Sequence, residues 1–283
     1  MLLGWSGVIF AKARGLPLVC SYHTHVARYA HFYGLGFMER PVWALMIQAH
    51  LLAQVNLAAS EAAAAELEAQ GVAHVRVWRG GVGLERFHPG QADPAMRSRL
   101  TGGHPERQVV LYVGRLAAEK GVARLLPLAD LGAGRHLALV GDGPARGELE
   151  AAFRDSPVTF VGTLSGSELA AAYASAELFA FPSTTDTLGL VLLEAMSSGL
   201  PVVAARSAAS AELLAGVPAC ELFDPGDASS LVAAAERSLT TQVDRLILAE
   251  HARRTAPTWA QVTRELLCEY EAAISLAQAR PAA

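Results

Sequence analysis

The sequence predicts an α/β protein in which parallel sheets are covered by helices on both faces. Short β-branched and apolar runs alternate with helical stretches from one end of the chain to the other, and strands that alternate with helices form parallel sheets. Apolar residues make up 52% of the 283 residues and charged residues 18%, which excludes disorder and allows a large core. A chain of this length has room for two domains.

Composition also excludes several classes of protein. The chain has 23 Lys and Arg against 27 Asp and Glu, a net charge of −4, whereas a general nucleic-acid binder carries a basic surplus. Cys20, Cys220 and Cys268 are too few and too widely spaced for a disulfide framework or a zinc site. No run of about 18 apolar residues is present that could span a membrane. The first fifteen residues are apolar before they are basic, the reverse of a signal peptide, so no targeting segment is visible.

The first predicted domain covers residues 1–83. Its strands are expected in residues 16–23, 55–60 and 75–78, and its helices in residues 41–54 and 61–70. Ser60 is placed to cap the second of these helices and Gly71 to end it. The first segment of this domain is helical, whereas a doubly wound domain normally begins with a strand followed by a glycine-rich turn. We therefore expect it to be a truncated, poorly ordered version of a doubly wound domain.

The second predicted domain covers residues 109–257 and follows a linker, residues 84–108, that is rich in Gly, Pro and charge. Its strands are expected in residues 109–113, 136–140, 158–161, 178–181 and 201–205, with helices that begin near Gly121, Gly147, Ser167, Leu188 and Ser210. Residues 258–283 are predicted to form a helix that returns to the first domain.

Four strand ends of the second domain carry polar or flexible residues. They are Gly114-Arg115, the segment from Gly141 to Pro144, Gly162-Thr163, and the segment from Pro182 to Asp186. In an open parallel sheet the ligand lies beyond the carboxyl ends of the strands. Glycines at these ends let the backbone approach a ligand closely.

The residue types at this edge predict a nucleotide-sugar site. Arg115 and Lys120 could pair with two phosphates, although a cation pair taken alone is more often plain surface charge. The backbone N–H groups of Leu188 and Gly189 are expected at a helix N-terminus, which favours anions. Asp186 and Glu194 lie about two helical turns apart. Carboxylates are poor phosphate ligands but good acceptors for sugar hydroxyl groups.

These motifs resemble a known family. Gly114-Arg115-Leu116, Glu119-Lys120-Gly121, the GDGP segment from Gly141, and Asp186-x7-Glu194 are similar to the C-terminal domain of the retaining GT-B glycosyltransferases of family 4. The stretches SYHTHVARY, HFYGLG and MRSRLTGGHPE look like sulfoquinovosyltransferases, which make the plant and cyanobacterial sulfolipid. The resemblance implies a GT-B fold with two Rossmann-like domains, the first of them truncated here.

By the same resemblance, the reaction is retaining transfer of sulfoquinovose from UDP-sulfoquinovose, or a related nucleotide sugar, to diacylglycerol. Arg115 and Lys120 would hold the donor diphosphate, Glu194 the ribose, and Asp186 the donor sugar. His23 would reach the donor from the first domain. The implied binding loops contribute Gly114, Gly141, Gly143, Thr187, Leu188 and Gly189. Neither a metal nor a cofactor is expected.

The chain departs from the family pattern at three places. Gly83 stands where the family has Asp, Gly80 where it has Lys, and Ala208-Ala209 where it has a glycine pair. Three alternatives therefore stay open. They are another family 4 mannosyl- or glucosyltransferase, a nucleotide-sugar epimerase, which Asp186-x7-Glu194 disfavours, and an inactive nucleotide-binding remnant. His23 could also be a structural histidine at a strand end.

An aromatic cluster in the first domain has two interpretations. It contains Tyr29, His31, Phe32, Tyr33 and Phe37, flanked by Arg28 and Arg40. It could seat on a lipid surface or pack against missing strands. The family resemblance places the protein at the chloroplast membrane periphery in a plant or alga, and at the cytoplasmic membrane periphery in a bacterium. Arg28 and Arg206 are candidate partners for the sulfonate.

Overall fold

The computed structural model describes residues 2–83, 85–129 and 134–279, with the backbone alone described at residues 2 and 3. It divides into two compact units. Unit 1 comprises Met1–Gly81, Thr185–Leu188 and Pro257–Ala283, and unit 2 comprises Val82–Thr184 and Gly189–Ala256. The last four residues of the predicted tail helix, 280–283, lie outside the described residues.

Strands and helices alternate along the described chain. The strands are β1 Val19–Tyr22, β2 Val55–Ala58, β3 Val75–Val77, β4 Gln108–Val113, β5 Arg135–Val140, β6 Val158–Gly162, β7 Leu178–Phe181, β8 Val202–Ala205 and β9 Glu221–Phe223. The helices are α1 Leu2–Ala13, α2 Val26–Phe32, α3 Glu39–Leu51, α4 Glu61–Glu68, α5 Pro94–Leu100, α6 Leu126–Ala129, α7 Arg146–Ala152, α8 Gly166–Ala174, α9 Leu190–Ser197, α10 Ala208–Leu214, α11 Ala228–Thr240, α12 Arg245–Thr255 and α13 Trp259–Gln278.

Unit 1 is built on a parallel sheet with strand order β1-β2-β3. Leu57 on β2 and Leu67 on α4 are fully or almost fully buried and belong to its core. Helix α4 begins where the sequence predicts, because the Ser60 hydroxyl accepts a hydrogen bond from the Ala63 N–H at 3.2 Å. Such a cap satisfies a backbone donor that the first helical turn leaves unpaired.

Unit 2 contains a parallel sheet with strand order β6-β5-β4-β7-β8-β9. Apolar clusters cover both faces, one containing Leu111 and Phe179 and the other Tyr112 and Leu139. Five of these strands match the sequence prediction to within a residue or two. The sequence does not predict the edge strand β9. Its three residues, the first of which is a Glu, are too few to show an alternation of apolar and polar side chains.

The predicted linker is wrong as a description of residues 84–108, because part of this segment is a packed element of unit 2. Helix α5 starts at Pro94, and the Asp93 carboxylate accepts a hydrogen bond from the Ala95 N–H at 3.0 Å. Met96 and Leu100 are buried in the apolar core. A proline at the first helical position is favourable, so Gly, Pro and charge here indicate a capped helix as well as loops.

The tail forms the predicted helix α13 and packs within unit 1. Thr258 and Gln261 form a reciprocal capping box at its start. Val262 and Ala273 are buried, and Ala273 shares an apolar cluster with Val55 and Leu57 of β2. Trp259 and Tyr270 on the same helix stay exposed. Among the described residues, no helix combines the length and apolar character needed to cross a membrane.

Candidate functional site

The polar strand ends of unit 2 lie side by side at one edge of its sheet. Strands β6, β5, β4 and β7 are neighbours and run parallel. The Gly114 N–H donates to the Val140 carbonyl at 3.0 Å, and the Gly141 N–H donates to the Gly162 carbonyl at 2.9 Å. The structure therefore brings Gly114, Gly141 and Gly162 together, in the arrangement that the topology predicts.

Close backbone packing requires glycine at Gly141 and at Gly143. A Cβ atom on Gly141 would lie 1.9 Å from the Gly114 carbonyl oxygen, and one on Gly143 would lie 2.3 Å from the Leu116 carbonyl oxygen. Real Cβ atoms do not approach backbone this closely, so a side chain at either position would displace a loop. Both glycines are partly exposed, and without side chains they let a phosphate or ribose group approach the backbone.

Arg115 follows β4 and forms an ion pair with Glu119. The Glu119 side chain is completely buried, while the Arg115 side chain is 52% exposed. Lys120 is partly exposed and ends the short 3-10 helix Ala118–Lys120, which Gly121 closes in the left-handed conformation. A buried carboxylate thus holds an exposed cation at the sheet edge. Glu119 was quoted in the sequence motif but was not recognised as the residue that orients Arg115.

The helix that follows β7 begins later than predicted. Helix α9 starts at Leu190, and Gly189 is its N-cap residue with φ of 70°. Leu188 precedes the helix and belongs to unit 1. The N–H groups of the first helical turn therefore come after Gly189, whose left-handed backbone turns the chain before the helix can begin.

Glu194 lies on α9 in a polar pair inside unit 2. The Tyr173 hydroxyl donates a hydrogen bond to Glu194 Oε2 at 2.9 Å. Burial raises the pKa of the Glu194 carboxyl, while this hydrogen bond and the charge of Arg86 act to lower it. Tyr173 is fully buried on α8. Nothing in the sequence pattern singles out Tyr173, because an aromatic residue on an Ala-rich helix is usually part of the core.

His23 lies at the end of β1 in unit 1, and its ring has two neighbours. Ser21 Oγ is 2.5 Å from His23 Nε2, and the Trp78 ring packs edge-on with the centroids 5.5 Å apart. Trp78 is itself held, because its Nε1–H donates to the Val262 carbonyl at 2.8 Å. Desolvation by the surrounding protein lowers the pKa of His23, which favours the neutral ring at pH 7. Neither Ser21 nor Trp78 is a sequence candidate.

Asp186 and Thr187 belong to the same unit as His23. Thr24 and Asp186 pair as an isolated antiparallel bridge, and the Thr187 hydroxyl donates to the His23 carbonyl at 2.5 Å. The structure therefore brings His23, Asp186 and Thr187 together within unit 1, and it places Arg115, Lys120, Glu194 and the glycines within unit 2.

The remaining candidates of unit 1 have structural partners. His25, within the SYHTHVARY stretch, follows β1, and its Nδ1 is 2.5 Å from the Tyr22 hydroxyl. Arg28, a candidate for the sulfonate, donates to Glu66 at 3.0 Å. In the aromatic cluster Phe37 is 76% and Tyr33 51% exposed, so these two rings are not core residues.

A cavity of about 520 Å³ lies beside His23 in unit 1. It contacts every residue from Leu18 to Thr24, together with Trp5 on α1 and Met46 on α3. Side chains on a strand alternate between two faces, so a cavity that contacts seven consecutive residues follows the edge of β1 instead of one face. Its lining is predominantly apolar, and it could take an apolar group.

Both units match known family models. The model described as "Glycosyltransferase Family 4" matches residues 1–86, and the model described as "Glycosyl transferases group 1" matches residues 107–241.

Three curated relatives illustrate the similarity. A sulfoquinovosyl transferase of Arabidopsis thaliana is 37% identical over 95% of this chain and 55% of its own length. A GDP-mannose-dependent alpha-mannosyltransferase of Mycobacterium tuberculosis is 37% identical over 96% of this chain and 70% of its own length. An alpha-monoglucosyldiacylglycerol synthase of Streptococcus pneumoniae is 29% identical over 71% of this chain and 49% of its own length. The chain thus spans about half of the first relative.

Solved structures share the fold. A sucrose-phosphate synthase from Thermosynechococcus elongatus aligns with a TM-score of 0.79 and 23% identity over 96% of this chain and 71% of that one. The Anabaena protein HepE, solved in complex with UDP-glucose, aligns with a TM-score of 0.74 and 23% identity over 94% of this chain and 76% of that one. At this identity the likeness shows the fold alone.

Proposed function

The chain belongs to the family 4 glycosyltransferases, and from this premise we propose that it serves the transfer of sulfoquinovose from UDP-sulfoquinovose to diacylglycerol, with retention at the anomeric carbon. The proposal is supported mainly by the arrangement of residues at the carboxyl edge of the unit 2 sheet. There the exposed Arg115, which is paired with the buried Glu119, lies at the carboxyl end of β4. The glycines at neighbouring strand ends lie in close contact with the backbone of adjacent loops. The same unit carries Glu194.

The diphosphate is assigned to Arg115 and Lys120. Charge develops on the departing UDP as the glycosidic bond breaks, and cations already in place stabilise it without reorganisation. The ion pair with Glu119 fixes one side of the Arg115 guanidinium, which has five N–H donors in a planar fork. The donors on its other side remain suited to phosphate oxygens.

The ribose is assigned to Glu194 and the donor sugar to Asp186. The Tyr173 hydroxyl fixes one carboxylate oxygen of Glu194, and a carboxylate has lone pairs for more than one donor. The second oxygen is the one assigned to a ribose hydroxyl. His23 is assigned to the donor sugar as well, and its lowered pKa keeps the ring neutral, so that it can donate through one nitrogen and accept through the other.

A lipid acceptor is supported by the surface of unit 1. Large apolar side chains are exposed at Phe37, Leu35 and Tyr33, with the cation Arg40 nearby in sequence. Exposed aromatic and aliphatic groups flanked by cations suit the interface of an anionic membrane. The streptococcal relative is described as an alpha-monoglucosyldiacylglycerol synthase, a name that also refers to a glycosylated diacylglycerol. We place the protein at a membrane periphery, in the chloroplast of a plant or alga or at the cytoplasmic membrane of a bacterium.

We also propose that no metal takes part. Arg115 and Lys120 supply the positive charge that a divalent cation would otherwise bring to the diphosphate. The expected result is an unchanged affinity for UDP when a chelator is added. A loss that Mg²⁺ restores would contradict this part of the proposal.

A mannosyltransferase is the second candidate, and a specific observation favours it. Several curated relatives of similar identity are described as GDP-mannose-dependent, and the residues assigned to diphosphate and ribose do not discriminate between uracil and guanine. The two functions therefore differ in the nucleotide base and the sugar of the donor that the protein binds.

The direct test is transfer by the protein to vesicles that contain diacylglycerol, with UDP-sulfoquinovose, UDP-glucose and GDP-mannose offered separately. Mass spectrometry of the lipid extract identifies the product. The proposal predicts a sulfoquinovosyl lipid and UDP. A mannosylated lipid formed from GDP-mannose would establish the second candidate instead.

A further inference from the structure

A short segment emerges from β7 yet packs with the other unit. Residues Thr185–Leu188 follow a strand and turn of unit 2 but are grouped with unit 1. Thr185 and Thr187 are each only 3% exposed, although the segment is a loop without regular secondary structure. A buried loop needs defined partners for its polar groups, and two of those partners lie at the end of β1.

The two partners are consecutive residues, His23 and Thr24. Thr24 forms an antiparallel bridge with Asp186, and the Thr187 hydroxyl donates to the His23 carbonyl at 2.5 Å. The direction of this bond is certain, because a carbonyl oxygen only accepts. Asp186 is therefore held by its bridge with Thr24, and Thr187, the next residue, is held by a partly buried side-chain hydrogen bond.

The bond from Thr187 does not hold the His23 ring. Ser21 and Trp78 contact that ring directly, whereas Thr187 contacts the main-chain carbonyl of His23. The Thr187 hydroxyl therefore ties its own segment, which contains Asp186, to the main chain of His23 without contacting the His23 ring.

We propose that Thr187 is a positioning residue, whose hydroxyl bond to the His23 carbonyl fixes Asp186 in the orientation that receives the donor sugar. This inference rests on the proposed function of the same site. Groups assigned to UDP, such as Arg115 and Glu194, lie outside the segment. Loss of the Thr187 hydroxyl should therefore affect the sugar and spare the nucleotide.

The test compares Thr187→Val, which keeps the shape but removes the hydroxyl, with Thr187→Ser, which keeps the hydroxyl. Calorimetry measures the affinity of each protein for UDP and for UDP-sulfoquinovose. In Thr187→Val the affinity for UDP should stay within about twofold, and the advantage of UDP-sulfoquinovose over UDP should fall about tenfold, as loss of one buried hydrogen bond predicts. Thr187→Ser should retain that advantage.

Several results would overturn the inference. One is a Thr187→Val protein that keeps the full sugar advantage, and another is an equal loss in Thr187→Val and Thr187→Ser. If the wild-type protein binds UDP and UDP-sulfoquinovose with equal affinity, Asp186 has no role in binding the sugar and the inference is wrong. Failure of the wild type to bind UDP at all counts against the proposed function.

A second measurement needs no ligand. Amide hydrogen exchange at residues 186–188 should be faster in Thr187→Val than in the wild type and unchanged in Thr187→Ser, because the anchoring bond is lost only in the valine variant. Equal exchange in all three proteins would show that the hydroxyl does not position the segment, whatever the donor affinity.

Discussion

Arg115 and Glu119 form an ion pair in which the carboxylate is completely buried and the guanidinium is half exposed. The buried carboxylate gives up its hydration, whereas half of the Arg115 side chain stays in contact with solvent. Because the carboxylate is buried and its partner is not, we expect Glu119 to orient the Arg115 guanidinium for a ligand.

The first prediction concerns the orienting carboxylate. Glu119→Gln keeps the size of the side chain but removes the charge that holds Arg115. UDP affinity should fall about three- to tenfold, because the guanidinium is then less well ordered for the diphosphate. Calorimetry with UDP measures the change. A rise in UDP affinity would mean that the negative charge of Glu119 only reduces the positive potential around Arg115. That result would contradict the orienting role.

The second prediction concerns the two cations. The double variant Arg115→Ala and Lys120→Ala should weaken UDP binding by about 2–4 kcal/mol, the worth of two charge-assisted contacts. The matched control is Arg237→Ala, which removes the partner of Glu221 elsewhere in unit 2 and should leave UDP affinity unchanged. Equal affinity in the double variant and the wild type would remove both cations from the site.

The third prediction separates ribose from phosphate. Glu194→Ala should weaken UDP and leave inorganic pyrophosphate unaffected, because the carboxylate is assigned to the ribose. Tyr173→Phe should produce a smaller effect in the same direction, because it removes the donor to Glu194 Oε2 and keeps the buried ring. Equal weakening of UDP and pyrophosphate would contradict the assignment.

The fourth prediction concerns stability and pH. Burial and the nearby Arg107 charge lower the pKa of His136 to about 4 from its usual 6.5. The unfolded chain therefore binds more protons than the folded one between these values, so stability falls as the pH drops from about 6.5 to 4. The expected loss is about 1–3 kcal/mol in urea unfolding. His136→Gln should lose less over this interval; an identical pH dependence would exclude His136 as the cause.

Much of the fold follows from local chemistry in the sequence. The Ser60 cap and strands β1 to β8 are predicted because each depends on a pattern within a few residues. Helix α5 is missed because its Pro94 and Asp93 are the residues that also make linkers. Strand β9 is missed because a strand of three residues is too short to show the two-residue alternation of apolar and polar side chains.

The site is predicted less completely than the fold. Arg115, Lys120, Asp186 and Glu194 can be proposed from the sequence because they occur in ordered motifs, and their roles stay predictions. The contacts of Tyr173 with Glu194 and of Thr187 with His23 could not be predicted, because they join residues 21 and 164 positions apart. Sequence motifs therefore indicate candidate binding residues more readily than the residues that contact them from distant parts of the chain.

We propose that this protein binds UDP-sulfoquinovose, and competition binding distinguishes this donor from its alternatives. UDP-sulfoquinovose, UDP-glucose and GDP-mannose are each titrated against a fixed amount of labelled UDP, at low and at high salt. UDP-sulfoquinovose should compete best, and its advantage over UDP-glucose should shrink as salt rises, because a sulfonate is a permanent anion and salt screens its attraction. Stronger competition by GDP-mannose than by either UDP-sugar would contradict it.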